Sequence, residues 1–186
     1  GYGEQPRYDV SVDLTVDDRP LATWRGRVGF RSAALSTEPD SVGSEFVSLV
    51  NDTPIFIRGA NWMPDDTFLT RLDRSAYQRA VTDAVDAGIN LLRVWGGGIY
   101  ESDDFYDICA ELGVLVWQDF LLACGAYAEE QPLWDEIEAE ARQAVTRLAK
   151  HPSLVVWNGN NENIWGYVEW GWRAPLADRT WGDGYY

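Results

Sequence analysis

Asn158, Asn160, Asn161 and Asn163 surround a single carboxylate, Glu162, directly after the apolar run Leu154-Val155-Val156-Trp157. Each amide can both donate and accept hydrogen bonds, as a polyhydroxylated ligand demands. Glu162 is the one ionisable group among them, so proton transfer at this point would fall to it. The plainer alternative is an Asn/Gly turn that caps the next helix.

The other reactive side chains narrow the chemistry. Cys109 and Cys124 have no metal-like spacing, and the one histidine, His151, sits in a His-Pro-Ser turn. That set excludes an ordinary zinc site and disfavours a Ser-His or Cys-His nucleophile. Gly96-Gly97-Gly98 matches neither a dinucleotide nor a phosphate loop, since the spacing is wrong and no lysine follows. No metal and no cofactor is expected. The formal charge is -15, from 30 acidic and 15 basic residues, which disfavours a nucleic-acid partner. No apolar stretch is long enough to span a membrane, and nothing suggests a disulfide framework, so a reducing, cytoplasmic compartment is the expectation. The 10 tryptophans can be core, or flat platforms for sugar rings.

Two textures position these groups. Tyr8, Val10, Val12, Leu14 and Val16 alternate with polar residues, which predicts a strand with one wet face. Trp24 to Phe30 alternates again after the turn at Asp17-Asp18-Arg19-Pro20, and Phe46–Val50 and Ile55–Ile57 flank a four-residue turn. From Ile55 the pattern becomes strand and helix in succession. Ser75 with Gln78 suggests a capping box, and Gly88 and Gly113 suggest helix stops. A longer helix begins near Pro132, and strands cover Ile89–Trp95, Val114–Trp117 and the run from Leu154. Trp62, Trp95, Trp117 and Trp157 then fall at four equivalent strand ends, the ligand-bearing face of an α/β barrel. The predicted fold class is α/β: the first half of a TIM (β/α)8 barrel, preceded by antiparallel strands of an immunoglobulin-like sandwich. Gly1-Tyr2-Gly3 reads as the interior of a longer chain.

Several stretches resemble the β-mannosidase branch of glycoside hydrolase family 2. They are Gly59-Ala60-Asn61-Trp62-Met63-Pro64, Leu92-Arg93-Val94-Trp95 through Glu101, Phe105 to Cys109, Val116-Trp117-Gln118-Asp119-Phe120, and His151 through Glu162. The resemblance divides the chain at residues 1–45, the end of an immunoglobulin-like domain, and 46–186, the first half of the catalytic barrel. It implies a retaining hydrolase that removes terminal β-D-mannose from β-mannosides. Glu162 would be the general acid/base, a role that calls for a carboxyl sheltered by Trp157 and Trp165, with Asn161 a hydrogen-bond partner of the sugar and Arg93 the group that orients the nucleophile. Trp95 and Trp170 would wall the sugar subsite, with Trp62, Trp157 and Asp119 close by. The nucleophile would come from a seventh strand, so these 186 residues alone are expected to be inactive. Glu129 and Glu130 look like an exposed acidic run. Gln118-Asp119 closing strand three favours mannosides over galactosides or glucuronides, while Ala123 to Tyr127 departs from the family's pattern. The alternatives are another family 2 exo-glycosidase (a β-galactosidase, β-glucuronidase or exo-β-glucosaminidase) or a non-catalytic carbohydrate-binding module.

Overall fold

The computed structural model describes residues 2–185; Gly1 and Tyr186 lie outside it. Asp17 and Asp18 both take left-handed backbone angles (φ 48° and 60°) and turn β1 (Tyr8–Val16) directly into β2 (Arg19–Val28). Two such residues in succession are the hairpin turn whose twist suits the strands. β2 therefore starts at Arg19, ahead of the expected Trp24. Val12 and Leu14 are more than half exposed, so the ribbon shows no covered face among the described residues.

A second antiparallel sheet, in the order β3-β4-β5, holds β3 (Ala33–Ser36), β4 (Val47–Val50) and β5 (Thr53–Ile55). Its turn is again two left-handed residues, Asn51 and Asp52, which draws Thr53 and Pro54 out of the expected turn and into the strand. Pro54 lies on an edge strand, where a missing N–H costs least. Ser36 pairs with Val47, so this sheet knits together chain from both sides of position 45.

The third sheet carries the site. β6 (Gly59–Trp62), β7 (Leu91–Val94), β8 (Leu115–Asp119) and β9 (Leu154–Asn158) run parallel in that order. They are joined through α1 (Arg74–Asp86), α2 (Asp103–Leu112) and α3 (Leu133–Leu148). The first parallel strand is thus Gly59–Trp62 rather than Ile55–Ile57; Phe56 is 79% exposed. α1 is capped by Asp73, which accepts from the Ala76 N–H at 2.9 Å, and not by Ser75, whose hydroxyl donates to Asp73 instead. Gly88 and Gly113, at φ 81° and 69°, follow α1 and α2 as expected, in the conformation glycine adopts most readily.

Strand parity sorts the side chains. In register, Trp62, Val94, Gln118 and Trp157 form one row, and Asn61, Arg93, Trp117 and Val156 form the next. Successive residues point to opposite faces. The first row faces the helices, where Phe105, Tyr106, Ile108, Val116 and Leu148 are fully buried. The second row, followed by Asp119 and Asn158, faces the opposite side. Glu130 is exposed as expected and Glu129 is half-buried, and both hold the last segment: Glu129 Oε1 accepts from the Gly182 N–H (2.8 Å) and Glu130 Oε1 from the Thr180 hydroxyl (2.9 Å). Among the described residues no helix is long and apolar enough to cross a membrane.

Candidate active site

Arg93 is the hub of the polar face. Its Nε donates to Asp119 Oδ1 (3.2 Å) and its Nη2 to Asp119 Oδ2 (2.7 Å), a forked pairing that fits guanidinium to carboxylate. The same Nη2 donates to Asn161 Oδ1 (2.8 Å), and Nη1 reaches Asn61 Oδ1 at 3.5 Å. Arg93 also lies 6.0 Å from the centre of the Trp117 ring. Within the described residues the anion beside this cation is Asp119, and Nη1, with only the 3.5 Å contact to Asn61, keeps donor capacity for a further acceptor.

Asp119 is fully buried and saturated with donors. Beyond Arg93, it accepts from Asn158 Nδ2 (2.8 Å), Trp117 Nε1 (3.1 Å) and the Gly96 N–H (3.2 Å). A buried carboxylate so surrounded is an organising charge rather than a reactive one. The parallel register explains the convergence, because residues at the ends of β7, β8 and β9 arrive side by side. Asn158 Nδ2 also donates to the Asn160 carbonyl (2.6 Å), which curls the chain after β9. Asn161 is buried, and Glu162 follows it in a left-handed conformation (φ 63°) that turns its side chain outward. Glu162 is exposed, so the shelter expected from Trp157 and Trp165 is absent among the described residues. Its hydrogen-bond partner is the Cys124 thiol, with Sγ 3.4 Å from Oε2.

The tryptophans are not equivalent. Trp62 belongs to the core at 7% exposure, with its ring 4.7 Å from Phe105 and its Nε1 donating to the buried Glu101 (2.9 Å). Glu101 also accepts from Tyr77 (2.8 Å), whose phenol burial and that carboxylate push up to about 12. Trp157 faces the helices too and stacks on Phe120 at 5.2 Å. Both are corrected from sugar platforms to packing residues, because strand parity turns them away from Arg93. Trp95 lies just past β7 and is half-buried; a Cβ on Gly97 would come within 2.0 Å of its ring. Gly97 therefore makes room for an indole. Trp170 is 49% exposed and meets Trp172 edge-on at 5.7 Å. Among the described residues, neither Trp95 nor Trp170 shares a hydrogen bond or ring contact with the Arg93 group.

The cluster thus unites Arg93, Asp119, Asn161 and Glu162, and adds Trp117 and Asn158, which the sequence pointed to without a role, and Cys124, which it did not assign to the site. The i, i+2 pairing of Trp117 with Asp119 was a readable signal for the first of these. A separate cavity of 530 Å³ opens at the other end of the sheet, lined by Arg7, Arg31, Asn90 and Pro152 among others. It contains none of this cluster.

No family model matches the chain. A β-mannosidase of Capra hircus is 42% identical over 165 residues, covering 88% of this chain and 19% of that protein. The crystal structure of a β-D-mannosidase from Dictyoglomus thermophilum superposes with a TM-score of 0.88 at 44% identity, covering 91% of this chain and 21% of that one. An exo-chitosanase of Amycolatopsis orientalis superposes at 0.67 with 28% identity, over 83% of this chain and 18% of that one. The chain spans about a fifth of the length of the relatives it matches. Over the stretch that it spans, the chain's relatives are β-mannosidases, which is consistent with glycoside hydrolase family 2.

Proposed function

We propose that this chain supplies the acid/base half of a retaining exo-β-mannosidase, an enzyme that removes terminal β-D-mannose from β-mannosides. The observation that carries the reading is the placement of Glu162: an exposed carboxyl at the end of β9, beside a fixed Asp119–Arg93–Asn161 chain of hydrogen bonds. In this reading Glu162 protonates the departing oxygen and then activates water, as the first carboxyl of a retaining pair does. Asn161, held by Arg93, presents its amide near the sugar. Trp95 and Trp170 are the aromatic surfaces available to the sugar's apolar face. Asp119 fixes Arg93, and the second carboxylate lies outside the described residues. Residues 1–45 would close an immunoglobulin-like domain and residues 46–186 open the barrel, with β3 reaching across. Two free cysteines support a reducing, cytoplasmic location.

The test is a panel of aryl β-mannoside, β-glucosaminide and β-glucuronide with the full-length protein. Preference for the mannoside is expected. Preference for the glucosaminide would support the second reading, an exo-β-glucosaminidase, which the likeness to the exo-chitosanase favours. Saturable sugar binding without turnover would leave a carbohydrate-binding module.

A further inference from the structure

Cys124 and Glu162 face each other on two left-handed backbones, at φ 51° and 63°. Residues with side chains seldom adopt that conformation unless held there. Here the main chain holds them. The Asn161 N–H donates to the Leu122 carbonyl (2.8 Å) and the Cys124 N–H to the Asn161 carbonyl (3.0 Å), extending the β8–β9 pairing through Ala123. Tyr127 braces the loop from the other side, accepting from the Ala123 N–H (2.8 Å).

Proton accounting fixes the side chains. A guanidinium has only donors, so Asn161 must turn its Oδ1 toward Arg93 (2.8 Å). Its Nδ2 is then left facing Cys124 Sγ at 3.3 Å. A sulfur that accepts from Asn161 still has its own hydrogen to place, and Glu162 Oε2 stands 3.4 Å away. The series Arg93, Asn161, Cys124, Glu162 therefore runs with every donor pointing toward Glu162.

We propose that Cys124 is a positioning residue for Glu162: its thiol occupies Oε2, so the transferable proton is carried on Oε1 and presented from that side. The inference rests on reading Glu162 as the acid/base. The thiol is held above its ordinary range by loss of surrounding water and by the hydrogen bond to Glu162, as befits the donor of such a pair.

Two measurements on the full-length protein test it. In the first, alkylation of Cys124 by iodoacetamide is followed by peptide mass near neutral pH. E162Q should accelerate it about threefold, because more thiolate forms while its nucleophilicity falls only in part. An unchanged rate would overturn the contact. In the second, C124A should lower kcat about tenfold on alkyl β-mannosides with little change in KM, the size of one lost hydrogen bond to a charged group. The loss should be smaller with activated aryl leaving groups, and C124S should recover most of it. Equal losses on both substrates, or no rescue by serine, would overturn the positioning role. A wild-type protein that leaves every β-mannoside intact would instead overturn the functional reading, while the alkylation result still decides the contact.

Discussion

Arg93 directs all its strong hydrogen bonds at two side chains, Asp119 and Asn161, so each of those residues holds the other in place through it. D119N should break this arrangement by leaving the guanidinium without its charge partner. Removing one member of a buried pair costs about 3–5 kcal/mol, and since Arg93 keeps 26% of its side chain exposed, a loss of about 2–3 kcal/mol is expected. A urea midpoint unchanged from wild type would show that Arg93 needs no partner. Glu162 behaves oppositely. It is exposed and its deletion leaves no buried group stranded, so E162Q should unfold at the wild-type midpoint. Its rate on poor leaving groups should fall by about 10²–10⁴, with a smaller fall on activated aryl mannosides. A wild-type rate on unactivated substrates would take the acid role from Glu162.

At the scale of elements, the turn after β7 makes the clearest demand. Trp95 lies over Gly97, and any side chain there must displace the indole. G97A should therefore shift the tryptophan fluorescence and weaken sugar binding while far-ultraviolet circular dichroism stays as in wild type. Full retention of sugar affinity would remove Trp95 from the subsite. The succession of parallel strands and helices was legible because Gly88, Gly113 and the apolar runs mark its boundaries. The faces were less so. A tryptophan at a strand end points inward or outward according to one residue of register, and the first parallel strand begins at Gly59, not Ile55. Trp62 read as a platform because it closes its strand, and the row it shares with Val94 turns its indole to the core instead. Arg93 and Asp119 could each be placed near the site from their strand-end positions, but their mutual pairing depends on the β7–β8 register, which motifs alone do not encode.

On the whole-molecule scale, retaining hydrolysis needs two carboxyl groups roughly 5–5.5 Å apart. Asp119 cannot be the second, since it is fully buried and both oxygens are occupied. The 186-residue chain by itself should therefore fail to turn over aryl β-mannosides. Turnover at about 1 per second or faster, typical of enzymes, would mean that a nucleophile is already present in it. The parts that do fold here are tied across long sequence distances. Arg7 pairs with Glu111 at 2.7 Å, Arg74 with the same carboxylate at 2.8 Å, and Arg31 donates to the carbonyls of Pro152 and Leu154. The ribbon is thus anchored to α2 and to the start of β9.

Asn158 carries a consequence measured in time. Its successor is Gly159, and an asparagine before glycine is open to attack by the following backbone nitrogen, which expels ammonia to close a succinimide that water then opens to a carboxylate. In the folded chain the amide is held by Asp119 and the Asn160 carbonyl, and the Asn158 carbonyl is held by the Phe120 N–H at 2.9 Å. Ageing at this position should therefore proceed only during excursions to the unfolded state. Each such event is costly, because the product would set a second negative charge against Asp119, where a donor stood. Protein stored in urea should accumulate the deamidated peptide and lose the ability to regain native stability, while protein stored folded should not. Equal deamidation in both would show that the hydrogen bonds to Asn158 give it no protection.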